Sequence, residues 1–425
     1  MIVLSGAAIL AAWVLLLLQV DPVPTWFYVF AWYPTLVLLD AVGTRLDGRP
    51  SMLWRRPMIH VFLWSPVVWF CFEIANFRLS NWFYVSLPHA QWERWSGIVL
   101  SFATVLPALL LAERMLDAAR VFRRGRGPVL RIRSWELNCA IAIGIGMGGM
   151  SLAWPRLFFP LIWGAVFLVI DPLVYRTRKT LSLLGDLTEG YWGRIGRLLL
   201  SGLGIGLLWE TYNYWARGKW IYTVPWLEEL KLFEMPPFGF VGFPVFTLEA
   251  WSMYAVLCLL GVAAPIGGGT TPNRGRVTVG LLLGVAFSVA TIVGMEHQTI
   301  SSTVPKLSEL PGVTAKQVKT IQDAGISSAF DLAGAEVSYL GSDAGLAVDV
   351  ANTLVQTSQL ATLRGIGNRH AQKLIDLGIV SVCGLARRDP GQLFTQLEQM
   401  NTGTRPNAAE VRVWIRAARR ACSSY

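Results

Sequence analysis

Long apolar segments separated by short polar loops make up most of the chain as far as residue 295. A helix needs about 20 apolar residues to cross a bilayer. Nine segments approach that length, at 2–20, 26–42, 59–77, 95–115, 136–153, 157–173, 197–216, 238–262 and 277–295. The eighth continues from about 232 to 264, and its prolines are compatible with a re-entrant piece followed by a helix. The pattern predicts an all-α polytopic membrane protein.

A motif at the end of the third segment recurs at the end of the seventh. The first copy reads EIANFRLSNWFYVSLP over 73–88, and the second reads ETYNYWARGKWIYTVP over 210–225. Three residues recur 137 positions later and two more after 138 positions: Glu73 as Glu210, Asn76 as Asn213, Pro88 as Pro225, Trp82 as Trp220 and Tyr84 as Tyr222. The recurrence indicates a duplicated membrane unit with a polar site in each half.

The correspondence extends upstream of these motifs. WYPTLVLLD at 32–40 aligns with WGAVFLVID at 163–171 at an offset of 131, and Ser51 then matches Ser182. We expect two four-helix repeats, at 1–128 and 129–265, followed by a Gly-rich hinge and a ninth span at 266–305. Parallel repeats occur in transporters, but duplication alone does not show transport.

A soluble domain is expected at 306–425, and it contains a repeat of its own. LSELPGVTAKQVKTIQDAGI at 307–326 aligns with LATLRGIGNRHAQKLIDLGI at 360–379 without a gap, at an offset of 53. The second copy contains L-x-x-L-x-G-I-G, with Ala371 following. These residues resemble the tandem helix-hairpin-helix family over about 120 of the 425 residues. The membrane part resembles uncharacterised bacterial membrane proteins with similar WExxN and FEMPxxGFxGFP stretches, and no activity follows from that resemblance.

Composition agrees with a chain that lies mostly in lipid. It is 53% hydrophobic and only 15% charged, and its formal net charge is +10. The basic residues gather in the loops after the second, fourth and sixth segments, which the positive-inside rule assigns to the cytoplasm. We therefore expect a bacterial cytoplasmic membrane protein with a cytoplasmic N-terminus. The first segment is expected to be a retained span, and nine spans leave the hairpin domain on the outer side.

The paired Glu and Asn residues are the first candidate site. Glu73/Asn76 and Glu210/Asn213 are spaced i, i+3, so each pair shares one helix face. An ionisable group in a span turns toward a partner or a wet cavity, because lipid does not solvate it. One interpretation is a polar pocket for a lipid headgroup, a cation or a proton. The other is a carboxylate clamped at a helix end. Glu249 is a further intramembrane candidate.

Two aspartates and four aromatic residues have simpler expected roles. Asp40 and Asp171 each precede an arginine by five residues, which predicts topology-fixing ion pairs with Arg45 and Arg176. The aromatic residues form an outer interfacial belt or line a ligand entrance: Trp82, Tyr84, Trp220 and Tyr222.

Signals for catalysis, cofactors and metals are lacking. The four histidines are isolated, and the sequence has no HExxH, P-loop or GxGxxG pattern. The five cysteines are scattered, so neither a disulfide framework nor a zinc site is expected. We predict no catalytic residues, no cofactor and no metal.

In the helix-hairpin-helix family, backbone amides of the Gly-rich turn hold a DNA phosphate. The resemblance assigns that role to Gly365, Ile366 and Gly367 in the second copy, and to Gly312 in the first, which lacks the second glycine. Neighbouring basic residues in the second copy are Arg364, Arg369 and Lys373. The domain has 13 Lys or Arg against 10 Asp or Glu, a weak basic excess for nucleic acid binding.

The sequence therefore favours an integral membrane scaffold or assembly protein whose hairpin domain docks a protein partner. One alternative is a transporter or membrane-embedded enzyme that handles an amphipathic substrate at the Glu/Asn sites. Another is sequence-nonspecific DNA binding by a membrane-tethered tail.

Overall fold

The computed structural model describes residues 1–123, 125–224, 230–267, 272–400 and 406–422; Pro225 lies outside them. The chain is mostly helical and divides into two compact units. The N-terminal unit contains 1–81, 95–216 and 224–295. The C-terminal unit contains 296–425 together with two segments from far earlier in the chain, 82–94 and 217–223. The sequence did not indicate that these two segments belong with the tail.

Twelve α-helices precede the tail in the described residues: α1 (Ile2–Leu17), α2 (Val23–Asp47), α3 (Arg56–Leu79), α4 (Gln91–Phe102), α5 (Val105–Ala118), α6 (Ser134–Ala153), α7 (Pro155–Phe158), α8 (Ile162–Thr177), α9 (Leu183–Thr188), α10 (Gly193–Trp215), α11 (Gly242–Leu259) and α12 (Arg274–Gln298). Three 3-10 turns lie among them, at Phe159–Leu161, Lys179–Leu181 and Pro237–Val241.

Seven helical stretches in the described residues are long and apolar enough to cross a membrane: Val23–Asp47, Arg56–Leu79, Gln91–Ala118, Ser134–Ala153, Pro155–Thr177, Pro237–Leu259 and Arg274–Gln298. The other two expected spans correspond to α1, which is apolar but shorter, and to α10, which is not among the seven.

Irregular backbone interrupts two of the seven stretches. The fourth expected span divides at Thr104 into α4 and α5. The sixth contains a 3-10 turn and then a break inside α8, where Trp163 and Gly164 have non-helical dihedral angles. Around the prolines of the eighth expected span, a 3-10 turn leads directly into the single helix α11.

Asp171 organises the turn that follows α8. Its Oδ2 accepts hydrogen bonds from the Ser182 hydroxyl at 2.6 Å and the Leu184 backbone N–H at 2.9 Å, while Oδ1 accepts one from the Leu183 N–H at 3.0 Å. The predicted ion pair with Arg176 is therefore wrong, because the carboxylate binds the N-terminal end of α9.

Asp40 does the same after α2, 131 positions earlier. It accepts hydrogen bonds from the Ser51 hydroxyl and from the backbone N–H groups of Met52 and Leu53. The predicted ion pair with Arg45 is also wrong. In both places the partner hydroxyl belongs to the serine pair that the sequence alignment matched, Ser51 and Ser182.

The C-terminal unit contains a two-stranded antiparallel ribbon, β1 (Trp82–Val85) and β2 (Lys219–Tyr222). The segment 299–304 continues this arrangement on the other side of β1. Tyr84 donates its N–H to the Thr299 carbonyl at 2.7 Å, and Ser301 returns a bond to the Tyr84 carbonyl at 2.9 Å. Extended segments from three distant parts of the sequence therefore pair with one another.

The tail consists of a 3-10 turn at Leu307–Glu309 and eight helices in the described residues: α13 (Ala315–Asp323), α14 (Ala329–Ala333), α15 (Val337–Ser342), α16 (Val348–Thr362), α17 (Gly367–Asp376), α18 (Val382–Ala386), α19 (Pro390–Gln399) and α20 (Ala408–Cys422). Residues 53 positions apart fill equivalent places in one core: Ile321 and Leu374, Ile326 and Ile379, Leu332 and Leu385, Leu340 and Leu393.

A disulfide joins Cys383 at α18 to Cys422 at the end of α20, with 5.3 Å between the two Cα atoms. The scattered cysteines predict no disulfide framework, and the structure pairs these two. They lie 39 residues apart in sequence, and only the packing of α18 against α20 brings them together.

Candidate polar and docking sites

The first Glu/Asn pair is completely buried in the N-terminal unit. Glu73 accepts a hydrogen bond through Oε1 from the Trp69 indole N–H, one helical turn earlier, at 2.8 Å. The amide oxygen of Asn76 accepts the Asn81 backbone N–H at 2.8 Å, just after Ser80 adopts a left-handed conformation. Asn76 thus stabilises the turn by which the chain leaves α3, as expected of a helix-end clamp.

The second pair, Glu210 and Asn213 on α10, is equally buried. Glu210 interacts electrostatically with Tyr28 of α2. On the same stretch of α10, the Tyr212 hydroxyl is within 2.9 Å of the Thr35 hydroxyl, also on α2. These contacts place the second pair at the packing of α10 against α2.

Glu249 is the third buried glutamate, and its surroundings differ from those of the paired sites. Its Oε1 accepts hydrogen bonds from the backbone N–H groups of Gly164 at 2.7 Å and Val166 at 3.0 Å, at the break in α8. Phe246, one turn earlier on α11, is the centre of an aromatic cluster whose ring centroids lie 5.2–6.1 Å from its own: Phe72, Trp69, Trp163 and Trp209. The sequence pattern predicted Glu249 as a candidate site residue but did not indicate this aromatic cluster.

Glu113 on α5 has a different environment from the three buried glutamates. It pairs with the buried Arg197 of α10 at 2.8 Å, and Asp117 lies 3.5 Å from the same guanidinium. Asp117 also binds Arg49 at 2.6 Å. Glu113 is therefore part of an ion-pair network.

The four predicted aromatic rim residues lie on the ribbon of the C-terminal unit. Trp82 pairs with Tyr222 across the strands, and Tyr84 pairs with Trp220. Three of the four are buried, and Trp220 is half-buried. Across the strands each aromatic residue therefore faces the other type and not its sequence match, and such side-chain contacts stabilise antiparallel pairs. An interfacial belt or ligand entrance stays a prediction.

The glycine turn of the second hairpin is covered by the chain itself. Gly365, Ile366 and Gly367 are all buried. A Cβ atom at Gly365 would overlap the side chain of Val85 on β1, and one at Gly367 would lie 2.9 Å from the Cβ of Ser302. Both glycines have positive φ, so they permit the turn as well as the close approach of the ribbon.

The basic residues beside this turn are mostly not displayed to solvent. Lys373 is buried and Arg364 is half-buried, whereas Arg369 is exposed. The arrangement brings the predicted phosphate-contact residues together as expected, but packs their turn against other segments of the same unit.

The glycine turn of the first hairpin shares one left-handed glycine and one turn hydrogen bond with the second, and it is exposed. It differs at the position of Gly367, where Thr314 has φ of −96° and Gly367 has φ of +65°. The φ angle is +75° at Gly312 and +85° at Gly365. Val313 donates its N–H to the Leu310 carbonyl at 3.2 Å, matching the bond from Ile366 to Leu363 at 3.0 Å. Within the described residues no atom lies within 4 Å of a Cβ built at Gly312. One turn is therefore occupied, and its counterpart is open.

Ser301 connects two buried titratable groups that the sequence did not single out. Its hydroxyl donates a hydrogen bond to Glu410 Oε2 at 2.8 Å, and its backbone forms a hydrogen bond with the ring of His370. Burial raises the pKa of Glu410 to about 7. Burial, together with the positive charge of Lys373, lowers the pKa of His370 to about 4. Both groups are therefore held neutral by their desolvation.

The comparisons with known proteins concern the tail. Residues 311–421 match the family described as Domain of unknown function (DUF4332), so the C-terminal region is a DUF4332 domain. Neither a curated protein nor a solved structure matches the chain.

The two glycine turns make a matched pair for substitution. Gly312→Ala should cost about 1–2 kcal/mol, because an L-residue is forced into the left-handed region. Gly365→Ala should add about 1–3 kcal/mol, because its methyl group overlaps Val85. Thermal unfolding of the full chain in detergent measures the difference, and hydrogen exchange should show release of residues 82–87 only for Gly365→Ala. Equal effects would contradict the packing of this turn on β1.

Glu410 and His370 should give the local stability of α20 opposite pH dependences. Between pH 4.5 and 6.5 folded Glu410 retains a proton that the unfolded chain has released, so its contribution falls as pH rises. Folded His370 lacks a proton that the unfolded chain carries, so its contribution increases with pH. Each slope is about 1.4 kcal/mol per pH unit, and the two cancel in the wild type.

Hydrogen exchange of peptides from α20, corrected for intrinsic rates, measures this balance in the full chain. Glu410→Gln should lose stability on acidification, His370→Gln should lose it as pH rises, and the double variant should again be flat. A wild-type slope that neither substitution changes would exclude these two groups as its source.

Proposed function

We propose that the protein is an integral membrane scaffold whose tandem helix-hairpin-helix domain docks a protein partner outside the cytoplasm. The observation that carries the proposal is the contrast between the two glycine turns of the tail. The second turn already holds an extended segment of this chain against Gly365. The first turn repeats the left-handed glycine and the hydrogen bond donated by the residue after it, and it is exposed. A partner presenting an extended apolar segment fits the open turn in the same way.

The surface beside the open turn favours a partner with acidic side chains. Lys316 and Lys319 lie on the first helix after the turn, and both are exposed. In the described part of the chain neither lysine forms an ion pair. Opposite charge at such a rim steers association and sets the orientation of the partner.

Nine spans arranged as two four-helix repeats and one additional helix best account for the membrane part. The matched Asp–Ser clamps after α2 and α8 support the repeats. The ribbon supports the number of crossings. Because β1, β2 and 299–304 pair within one unit, an even number of spans must separate each from the next. With α12 as one crossing, the stretch 232–264 then crosses once.

An outer location for the C-terminal unit has two further supports. The basic loops alternate with the segments that form this unit, and such loops remain in the cytoplasm. The Cys383–Cys422 disulfide belongs to an oxidising compartment, because cytosolic thiols are kept reduced.

Nucleic acid is a weaker candidate partner. The second turn, which has the complete glycine signature, is buried by Val85 and Ser302 and does not offer its backbone to a phosphate. Transport at the Glu/Asn sites is also weaker, because the amide oxygen of Asn76 is already engaged by the chain as it leaves α3.

The disulfide provides a direct test of sidedness. In a variant of the full chain without Cys71, Cys139 and Cys258, an impermeant maleimide should label no thiol on spheroplasts. After an impermeant phosphine reductant it should label two, because both remaining cysteines then become reactive. Labelling without reductant only after lysis would place the unit in the cytoplasm and overturn the outer location.

Docking is tested with a photoreactive amino acid at Ala315, the first residue after the open turn. Irradiation of intact cells should produce one discrete protein adduct, reduced at least about tenfold by Val313→Arg, which removes an apolar contact worth roughly 1.4 kcal/mol or more. The same photoreactive group at Gln322 is the matched control, because that position is exposed on the same helix about two turns away.

The outcome at the two positions distinguishes the candidate functions. Adducts that are equal at Ala315 and Gln322, or insensitive to Val313→Arg, would contradict docking at the turn. Adducts that nuclease removes would favour nucleic acid as the partner.

A further inference from the structure

The break in α8 leaves backbone N–H groups without helical hydrogen-bond acceptors inside an apolar stretch. Trp163 has ψ of 115° and Gly164 has φ of +99°, so helical geometry resumes only after Gly164. The first N–H groups of a helix have no carbonyl partner one turn earlier. In the hydrocarbon core water is absent, so another part of the protein must satisfy them.

Glu249 supplies the acceptor for these N–H groups through one of its two carboxyl oxygens. Oε1 accepts the N–H groups of Gly164 and Val166, and the side chain is completely buried. Either a carboxyl or a carboxylate oxygen can accept these bonds, so the clamp by itself does not require a charge.

The other oxygen is in a different situation. Glu249 Oε2 is buried and has no hydrogen-bond partner in the described residues. No described Lys, Arg or His forms an ion pair with Glu249. The aromatic cluster centred on Phe246 lies one turn away, and in the described residues none of its indole N–H groups donates to Glu249. A negative charge here would therefore be uncompensated at Oε2.

Asp171 is a buried acidic residue of the same unit, and both of its oxygens accept hydrogen bonds from the protein. It is as fully buried as Glu249. Its Oδ1 accepts from Leu183 N–H and the Ser252 hydroxyl, and its Oδ2 accepts from the Ser182 hydroxyl and Leu184 N–H. Each oxygen of Asp171 thus accepts two hydrogen bonds. Glu249 has donors on one oxygen alone.

The charged groups on neighbouring helices do not compensate an anion at Glu249. The helices packed on α11 carry three buried carboxyl residues, Glu73 on α3, Asp171 on α8 and Glu210 on α10. Arg194 lies over the ring of Trp251 on α11, but its guanidinium pairs with Asp186 at 2.9 Å. Arg197 pairs with Glu113, as described above.

We propose that Glu249 is a proton-binding site inside the membrane-spanning unit, occupied at neutral pH. The proton resides on Oε2, and Oε1 continues to accept the two backbone N–H groups at the break in α8. The ligand is a proton taken from water, which enters without an accompanying anion and leaves the carboxyl neutral. Such a group lets the protein bind and release protons at membrane depth, beyond the scaffold role of the tail.

Infrared difference spectroscopy of the purified full chain in detergent at pH 7 reads the protonation state directly. Subtracting Glu249→Gln from the wild type should reveal the C=O band of one protonated carboxyl, which shifts in heavy water. The glutamine retains the Oε1 acceptor, so the fold should persist. Asp171→Asn is the matched control and should remove only carboxylate bands. Loss of carboxylate bands in Glu249→Gln would overturn the proposal.

A second measurement uses the wild-type chain and does not depend on any variant. Dicyclohexylcarbodiimide modifies protonated carboxyls in apolar surroundings. Peptide mass spectrometry should then find the adduct on Glu249 and none on Asp171. An unmodified Glu249, or equal modification of both residues, would count against an occupied proton site.

Discussion

Buried polar groups of the backbone constrain the whole N-terminal unit of this protein. Each loop-facing or broken helix end must be satisfied by a side chain, and the same solution recurs. Asp40 and Asp171 hold the turns after α2 and α8, Asn76 holds the exit from α3, and Glu249 holds the restart of α8. The polar residues that stand out in an apolar sequence are thus largely acceptors for the backbone.

Glu249 also accepts hydrogen bonds from the backbone, but only through one of its two oxygens, and the other can bind a proton. An aspartate whose two oxygens both accept hydrogen bonds, such as Asp171, has a structural role alone. A glutamate with donors on one oxygen retains a second oxygen that a proton satisfies. Because this oxygen has no hydrogen-bond partner in the described residues, whereas both oxygens of Asp171 accept hydrogen bonds, the structure separates a structural carboxyl from a protonatable one.

The C-terminal unit is held together by contacts between segments far apart in the chain. The second hairpin receives the ribbon through Gly365, and the disulfide closes α20 onto α18. Gly312, the matching glycine of the first hairpin, has no atom of the described residues within 4 Å of its Cβ position. The contact at Gly365 is informative about external partners, because Gly312 presents the same left-handed glycine at an exposed turn.

The sequence by itself determined the mostly helical class and the positions of most helices. These follow from local hydropathy and from spacing, both of which act over one or two helical turns. Only the tertiary structure decided that Ser51 and Ser182, and not arginines, bind the aspartates. It alone decided that Trp82 faces Tyr222, that Cys383 meets Cys422 and that Gly365 lies against Val85. The partners in each of these contacts are separated by at least eleven residues, and packing of whole elements determines which groups meet.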